Sequence, residues 1–226
     1  MHFSISALTI LGHFKAAIRF ISTDETRVHL NSVKIEWADK AVRFVSTDGH
    51  RLLASTAAAA ATGEHGSLLL ARADVLRIVK VLDRKSIDLL TFASKGALLT
   101  VTQGSLALGS FKAVDATFPP YAQVIPAPPS GTGKRAATPM DFSYIVDAAA
   151  ALNEIAAAAR VKGDKKPDAS IVITHGAGEL DPVIFTSAQA EAVAVVMPRR
   201  EGADQTARLV AAFQRALSSD VAAAAE

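Results

Sequence analysis

The sequence predicts an α+β fold in which helices lie on one face of antiparallel sheets. Three observations carry the prediction. An order of helix, short strands, helix and short strands occupies the chain before residue 116. A similar order begins again near residue 140. Between them lies 116–139, ATFPPYAQVIPAPPSGTGKRAATP, which holds six of the nine prolines. Proline fixes φ and removes a backbone donor, so this stretch predicts an extended connector.

The elements follow in order. Leu11, Phe14, Ile18 and Ile21 recur at spacings of three and four, which predicts a helix over 7–22. Runs at 28–37 (VHLNSVKIEW), 41–47 (AVRFVST) and 51–55 predict strands. After a loop of alanines and glycines, 67–71 (SLLLA) predicts another strand. Val75, Leu76, Val79 and Leu82 line one side of a predicted helix over 73–83. Strands are predicted at 87–93, 97–102 and 106–114. Beyond the break, a helix over 141–160 precedes strands at 170–175, 182–187 and 192–198 and a final helix over 204–218. The plan repeats in structure with little identity of sequence. The expected organisation is a domain over 1–126, a proline-rich linker over 127–139, and a second, abbreviated domain over 140–226.

Composition narrows the function. Half of the 226 residues are apolar, enough for a sizeable core, and the formal net charge is only +2. If the protein meets a polyanion, its cations must gather on one surface. Such gathering exists on the predicted helices: Lys15 and Arg19 on the first; Arg77, Lys80 and Arg84 on the second, with Arg72 at its start; Arg208 and Arg215 on the last. Cations opposite an apolar face can touch phosphates without reading bases, although a solvated helix face has the same pattern. The chain has no cysteine, which excludes disulfides, thiol catalysis and cysteine zinc sites. The histidines show no HxxxH or HxH spacing, and no GxxxxGK[ST] loop is present. Asp48 and His50 therefore do not make a credible metal or hydrolytic site, and no cofactor is expected. The N-terminal segment carries no basic n-region or cleavage site, and no apolar run is long enough for a bilayer. The expectation is a cytoplasmic protein without a membrane partner.

Residues 46–55, STDGHRLLAS, decide the class. They resemble the TDGHRLA signature in the middle domain of the bacterial DNA polymerase III beta sliding clamps. GSLLLARADVLRIVKVLD (66–83) resembles the second strand and helix of that domain, and FKAVDATFPPYAQVIP (111–126) resembles its exit, DG-x-FPDY-x-x-VIP. VAVVMPRR (193–200) resembles the VVMPMR at the family's C-terminus. The resemblance is continuous over 1–126 and patchy over 140–200. Any one of these motifs alone is weak; TDGHRL, FP-x-Y-x-x-VIP and VVMP in this order are specific.

The resemblance implies a DNA-clamp fold, with helices lining a ring and antiparallel sheets outside. It implies a processivity factor, not an enzyme, that encircles double-stranded DNA without sequence preference and tethers a polymerase. It further implies a groove for short peptides of polymerases and clamp loaders, carried over onto Thr47, Gly49, His50, Arg51, Leu52, Pro126, Val195 and Met197. The basic helix residues are expected to face DNA. Family clamps have three domains per chain and close as dimers; this chain is shorter, so a homo-trimer is expected over a tetramer, both preserving six domain equivalents. Arg199 stands where the family has an apolar residue, which alters the lip of the groove. The alternative is a clamp-derived module that binds the same peptides without encircling DNA.

Overall fold

The computed structural model describes residues 2–38, 40–62, 65–82, 86, 88–125, 140–160, 170–176 and 180–199. The chain opens with β1 (His2–Ser6) and α1 (Ala7–Ile18), followed by β2 (Ser32–Ala38), β3 (Ala41–Thr47), β4 (Arg51–Ala58), β5 (Ala60–Thr62) and β6 (Gly66–Ala71). Then come α2 (Arg72–Val81), β7 (Leu89–Lys95), β8 (Leu98–Gln103), β9 (Leu106–Lys112) and a 3-10 turn (Tyr121–Gln123). The rest is α3 (Phe142–Ala158), β10 (Val172–Thr174), β11 (Val183–Ser187) and β12 (Ala190–Val196). The α+β class holds, and the sheets are antiparallel.

Two sheets form, in the orders β5–β1–β7–β8–β9 and β10–β11–β12–β4–β3–β2–β6. β1 precedes α1 yet pairs with β7, while β6 precedes α2 yet pairs with β2. The two halves of 2–112 thus exchange their first strands, and each helix crosses from one sheet to the other. The second sheet does not stop at β4: β12 pairs with it in the register Val195↔Leu52 and Val193↔Ala54. The segments on either side of the proline-rich break therefore share one hydrogen-bonded sheet.

Several boundaries differ from the sequence reading. β1 was not expected, although HFSIS alternates, burying Phe3 and Ile5. Ser6 ends it and caps α1 by accepting a hydrogen bond from the Thr9 amide at 3.1 Å. α1 ends at Ile18, not 22; Phe20 and Ile21 stay buried in a tightened turn, where the Phe20 amide donates to the Ala17 carbonyl. That burial kept the apolar spacing going past the end of the helix. β2 starts at Ser32, not 28, because 22–31 is a loop held by its own polar side chains: Asp24 accepts from Thr26, and Asn31 donates to the Ser22 carbonyl at 2.7 Å. Residues 114–125 are not an open connector, since Phe118 and Tyr121 are buried against the second sheet. The expected helix over 204–218, the linker 127–139 and residues Arg84, Pro126, Arg208 and Arg215 lie outside the described residues.

The two faces of the second sheet bury different things. Toward the helices, Phe44 joins Phe14, Phe3 and Phe92 in one aromatic core, with Phe3 and Phe92 stacked at 4.7 Å and Phe14 edge-on to both Phe44 and Phe92. Leu53, Ala194 and Val196 pack beneath Leu152 and Ile155 of α3 and Phe20. On the opposite face, Val45, Leu52, Ala54, Leu69 and Val195 meet Phe118 and Tyr121 from the 114–125 strap. α1 and α3 touch closely: a Cβ at Gly12 would overlap the Ala158 side chain and come within 3.0 Å of the Glu154 carbonyl oxygen. Glycine is required there by space, not by backbone conformation.

One polar pair is buried among these layers. His13 of α1 lies under β4, its Nδ1 2.9 Å from the Ser55 hydroxyl. Burial disfavours the imidazolium and lowers the pKa of His13 from 6.5 to about 4. The unfolded chain therefore takes up a proton first as pH falls, and folding stability declines from pH 6.5 toward pH 4. Linkage gives a loss of about 2 kcal/mol between pH 7 and pH 5. His13→Gln keeps a hydrogen-bonding amide and does not titrate. Urea unfolding at both pH values should show a decline smaller by that amount in the variant; equal declines would assign the pH dependence to other groups.

Candidate functional site

The 47–51 turn is built from its own side chains. The Thr47 hydroxyl donates to the Arg51 carbonyl at 2.7 Å and accepts from the Gly49 amide at 3.1 Å. One Asp48 oxygen accepts from the His50 and Arg51 amides at 2.9 and 3.1 Å, and the other accepts from Arg51 Nε at 3.0 Å. Gly49 has φ +94°, a conformation that side chains with a Cβ rarely adopt. The TDGHR run thus closes a tight turn by local chemistry and sends Leu52 into β4 with its side chain on the strap-covered face. From the other half of the chain, the Met197 amide donates to the His50 carbonyl at 2.9 Å, which continues the β4–β12 ladder past its end.

Beside this turn is a cavity of about 340 Å³, within the size range of small-ligand and peptide side-chain pockets. Its floor is the Leu52–Val195 rung of the sheet, and Thr47, Gly49, Arg51 and Met197 form one end. His29 and Leu30, from the loop before β2, form the far wall; Pro119, Tyr121 and Val124 of the strap form the roof. The lining is predominantly apolar. Val195, Leu52 and Thr47 are buried, whereas Met197 is partly open at the mouth.

Of the eight groove residues expected from sequence, the structure brings Thr47, Gly49, Arg51, Leu52, Val195 and Met197 to this one cavity. His50 is exposed beside the turn, its ring 6.5 Å from that of Tyr144, and does not line the cavity. Pro126 lies outside the described residues; among the described residues of the strap, Pro119 lines the site. Five residues were missed. Pro119, Tyr121 and Val124 belong to the FPPYAQV run that had already been singled out, so their signal was present. His29 and Leu30 were read as strand, and nothing local marks them.

Tyr121 is held in place at the roof. Its hydroxyl donates to Glu36 at 2.5 Å and accepts from Arg43 at 3.1 Å. Lys34 Nζ lies 2.7 Å from the same carboxylate and 5.5 Å from the Tyr121 ring centre. Burial alone would push the Glu36 carboxyl up, but hydrogen bonds from Lys34 and Tyr121 and the nearby cations hold it below its usual value. Burial and the hydrogen bond to Glu36 push the Tyr121 phenol up, so it remains a neutral donor.

The helix cations are placed unevenly. The Arg77 side chain is 75% exposed, and Lys80 is exposed on the same helix. Arg77 lies 3.4 Å from Asp74, a surface pair of small energetic weight. Lys15 and Arg72 are half-buried. Arg19 turns onto α3, 3.1 Å from Asp147 and 3.6 Å from Glu154, so two carboxylates already balance the charge expected to face phosphate. Among the described residues, no three His, Asp or Glu side chains converge as metal ligands, and no helix is long and apolar enough to cross a membrane.

Comparisons with known proteins agree with this architecture. Residues 13–120 match the family described as DNA polymerase III beta subunit, central domain. The beta sliding clamp of Rickettsia bellii (strain RML369-C) is 31% identical over 109 residues, an alignment that covers 47% of this chain and 28% of that protein. The chain superimposes on the DNA polymerase III subunit beta of Pseudomonas aeruginosa with a TM-score of 0.69 at 15% identity, over 89% of this chain and 67% of that one. For the Thermotoga maritima beta subunit the TM-score is 0.65 at 17% identity, over 89% and 66%. At such identities the likeness is one of fold, and it extends well beyond 13–120. Less than a third of the curated relative is matched. The chain has the fold of the bacterial DNA polymerase III beta subunits, and its residues 13–120 match the central domain of that family.

Proposed function

We propose that the protein is a DNA sliding clamp, a non-catalytic processivity factor that surrounds duplex DNA and tethers a DNA polymerase through a short peptide. The observation that carries the reading is the apolar cavity at the β4–β12 junction. The TDGHRL turn, the strap and the VVMP strand are distant in sequence yet converge on it. A pocket with an aliphatic floor and a methionine at its mouth suits the hydrophobic end of a linear peptide, since methionine re-packs against differing side chains. His50 and Arg51 would stand at its rim, with Pro126 close by in sequence to the strap.

On this reading, residues 1–126 are one clamp domain and 140–226 an abbreviated second, joined by 127–139. The chain closes as a homo-oligomer, a trimer in preference to a tetramer, in the cytoplasm. The partners are double-stranded DNA, a polymerase and a clamp loader. Lys15, Arg72, Arg77, Lys80, Arg84, Arg208 and Arg215 supply cations toward the phosphates, and no metal or cofactor takes part. Tethering raises the effective concentration of the polymerase at its template, so a weak peptide contact suffices. The test is titration of a labelled pentapeptide with a hydrophobic end, taken from a polymerase clamp-binding motif. Saturable binding is expected; no binding at millimolar protein would overturn the reading.

A further inference from the structure

We propose that Asp147 is a positioning residue of the groove, acting on its ligand through Arg51 without lining the cavity. The inference rests on the clamp reading above and adds a residue to its site. Arg51 belongs to the turn at one end of the cavity, but its side chain is only 13% exposed and leaves β4 on the face shared with its rung partner Val196, opposite to Leu52 and toward α3. There, Nη1 lies 2.6 Å from Asp147 Oδ2, and Nε lies 3.0 Å from Asp48 Oδ2. The guanidinium also sits 4.5 Å from the Tyr144 ring centre and 5.2 Å from that of Phe20. Tyr144 and Asp147 are three apart on α3 and so share a face of that helix.

These contacts divide the labour. Asp48 ties Arg51 to its own turn; Asp147 ties it to α3, on the far side of the proline-rich break. The second Asp147 oxygen lies 3.1 Å from Arg19, just past α1, so one carboxylate bridges two cations from two elements. Arginine has five donors in a fixed plane, and a carboxylate plus an aromatic face fixes that plane in orientation. With the head pinned against α3, the turn that carries Thr47 and Gly49 and leads into Leu52 is held in place at the end of the cavity. Without Asp147, a poorly balanced, half-buried cation would reorient toward water and loosen the turn that forms one end of the cavity.

The experiment compares Asp147→Asn, Asp147→Glu and Glu154→Gln, with peptide titration, thermal melting and the Arg51 Nη–H signals in nuclear magnetic resonance. Glu154 is the control, since it pairs with Arg19 at the same helix contact but not with Arg51. Asp147→Asn should weaken peptide binding about tenfold and expose the Arg51 Nη–H to solvent exchange, and Asp147→Glu should restore most of both. Glu154→Gln should leave peptide affinity unchanged whatever it does to the melting temperature. Wild-type affinity in Asp147→Asn would overturn the inference, as would an equal loss in Glu154→Gln, which would reduce the effect to helix packing. If Asp147→Asn fails to fold, Tyr144→Leu, which removes the ring beside the guanidinium, should give the same partial loss; unchanged affinity there would overturn the inference. If the wild-type protein binds no peptide, the clamp reading falls and this inference with it; binding by the wild type isolates the Asp147 question.

Discussion

Leu52→Ala combined with Met197→Ala should abolish binding of the clamp-binding pentapeptide while the native mass of the particle is unchanged. Leu52 forms the cavity floor against Val195, and Met197 stands at its mouth. A buried anchor typically contributes about 2 kcal/mol or more, so the loss should be at least about thirtyfold. The two substitutions differ in side effects. Leu52 is buried in the cluster beneath the strap, so its truncation also costs about 2–5 kcal/mol of stability. Met197 is half-exposed and can be shortened with little cost to the fold. Met197→Ala alone should therefore lose affinity at an unchanged melting temperature. Fluorescence titration against wild type, with melting curves on every variant, separates the effects; full affinity in a folded double variant would place the peptide elsewhere.

Replacing Arg77, Lys80 and Arg84 together with glutamate should strongly reduce retention on circular DNA and flatten its salt dependence. Phosphate contact releases counterions, so affinity falls linearly with the logarithm of salt, with a slope set by the number of phosphates neutralised. α2 directs Val75 and Ile78 inward and leaves Arg77 and Lys80 outside, so the change leaves the core untouched. The Arg77–Asp74 pair and the position of Arg77 5.8 Å from the Phe111 ring centre are surface contacts and should not hold the fold. Arg19→Glu makes a useful contrast. It places a third carboxylate beside Asp147 and Glu154 and should lower stability more than DNA retention. Retention unchanged in the triple variant, measured across a salt series, would show that α2 does not face DNA.

What the sequence disclosed, and what it did not, follows from the range of the interactions. The TDGHR turn was legible because its bonds join residues at most four apart, so the motif and the geometry are nearly the same thing. The 41–47 strand and both ends of the groove floor were legible because alternation and β-branched composition are local. β1 was missed because HFSIS is short and runs straight into a helix; its strand character depends on β7, far along the chain. The exchange of β1 and β6 between sheets and the joining of β12 to β4 are likewise products of distant pairing. His29 and Leu30 reach the cavity only because the polar side chains of Ser22, Asp24 and Asn31 fold the preceding loop. Nothing in the sequence around Arg19 announces its pairing with Asp147 and Glu154. Pro119, Tyr121 and Val124 lie within the strap motif, but which of its side chains face the cavity depends on how the strap packs on the second sheet, which the motif alone does not state.

Native mass measurement in solution decides whether the chain closes into a ring, as a clamp must to surround DNA. At micromolar concentration a single closed species of three chains is expected, each of 23.6 kDa, that persists on dilution and in the peptide-binding variants. A closed tetramer would keep the ring and change its count. A stable monomer over the same concentrations would contradict the claim that this chain encircles DNA.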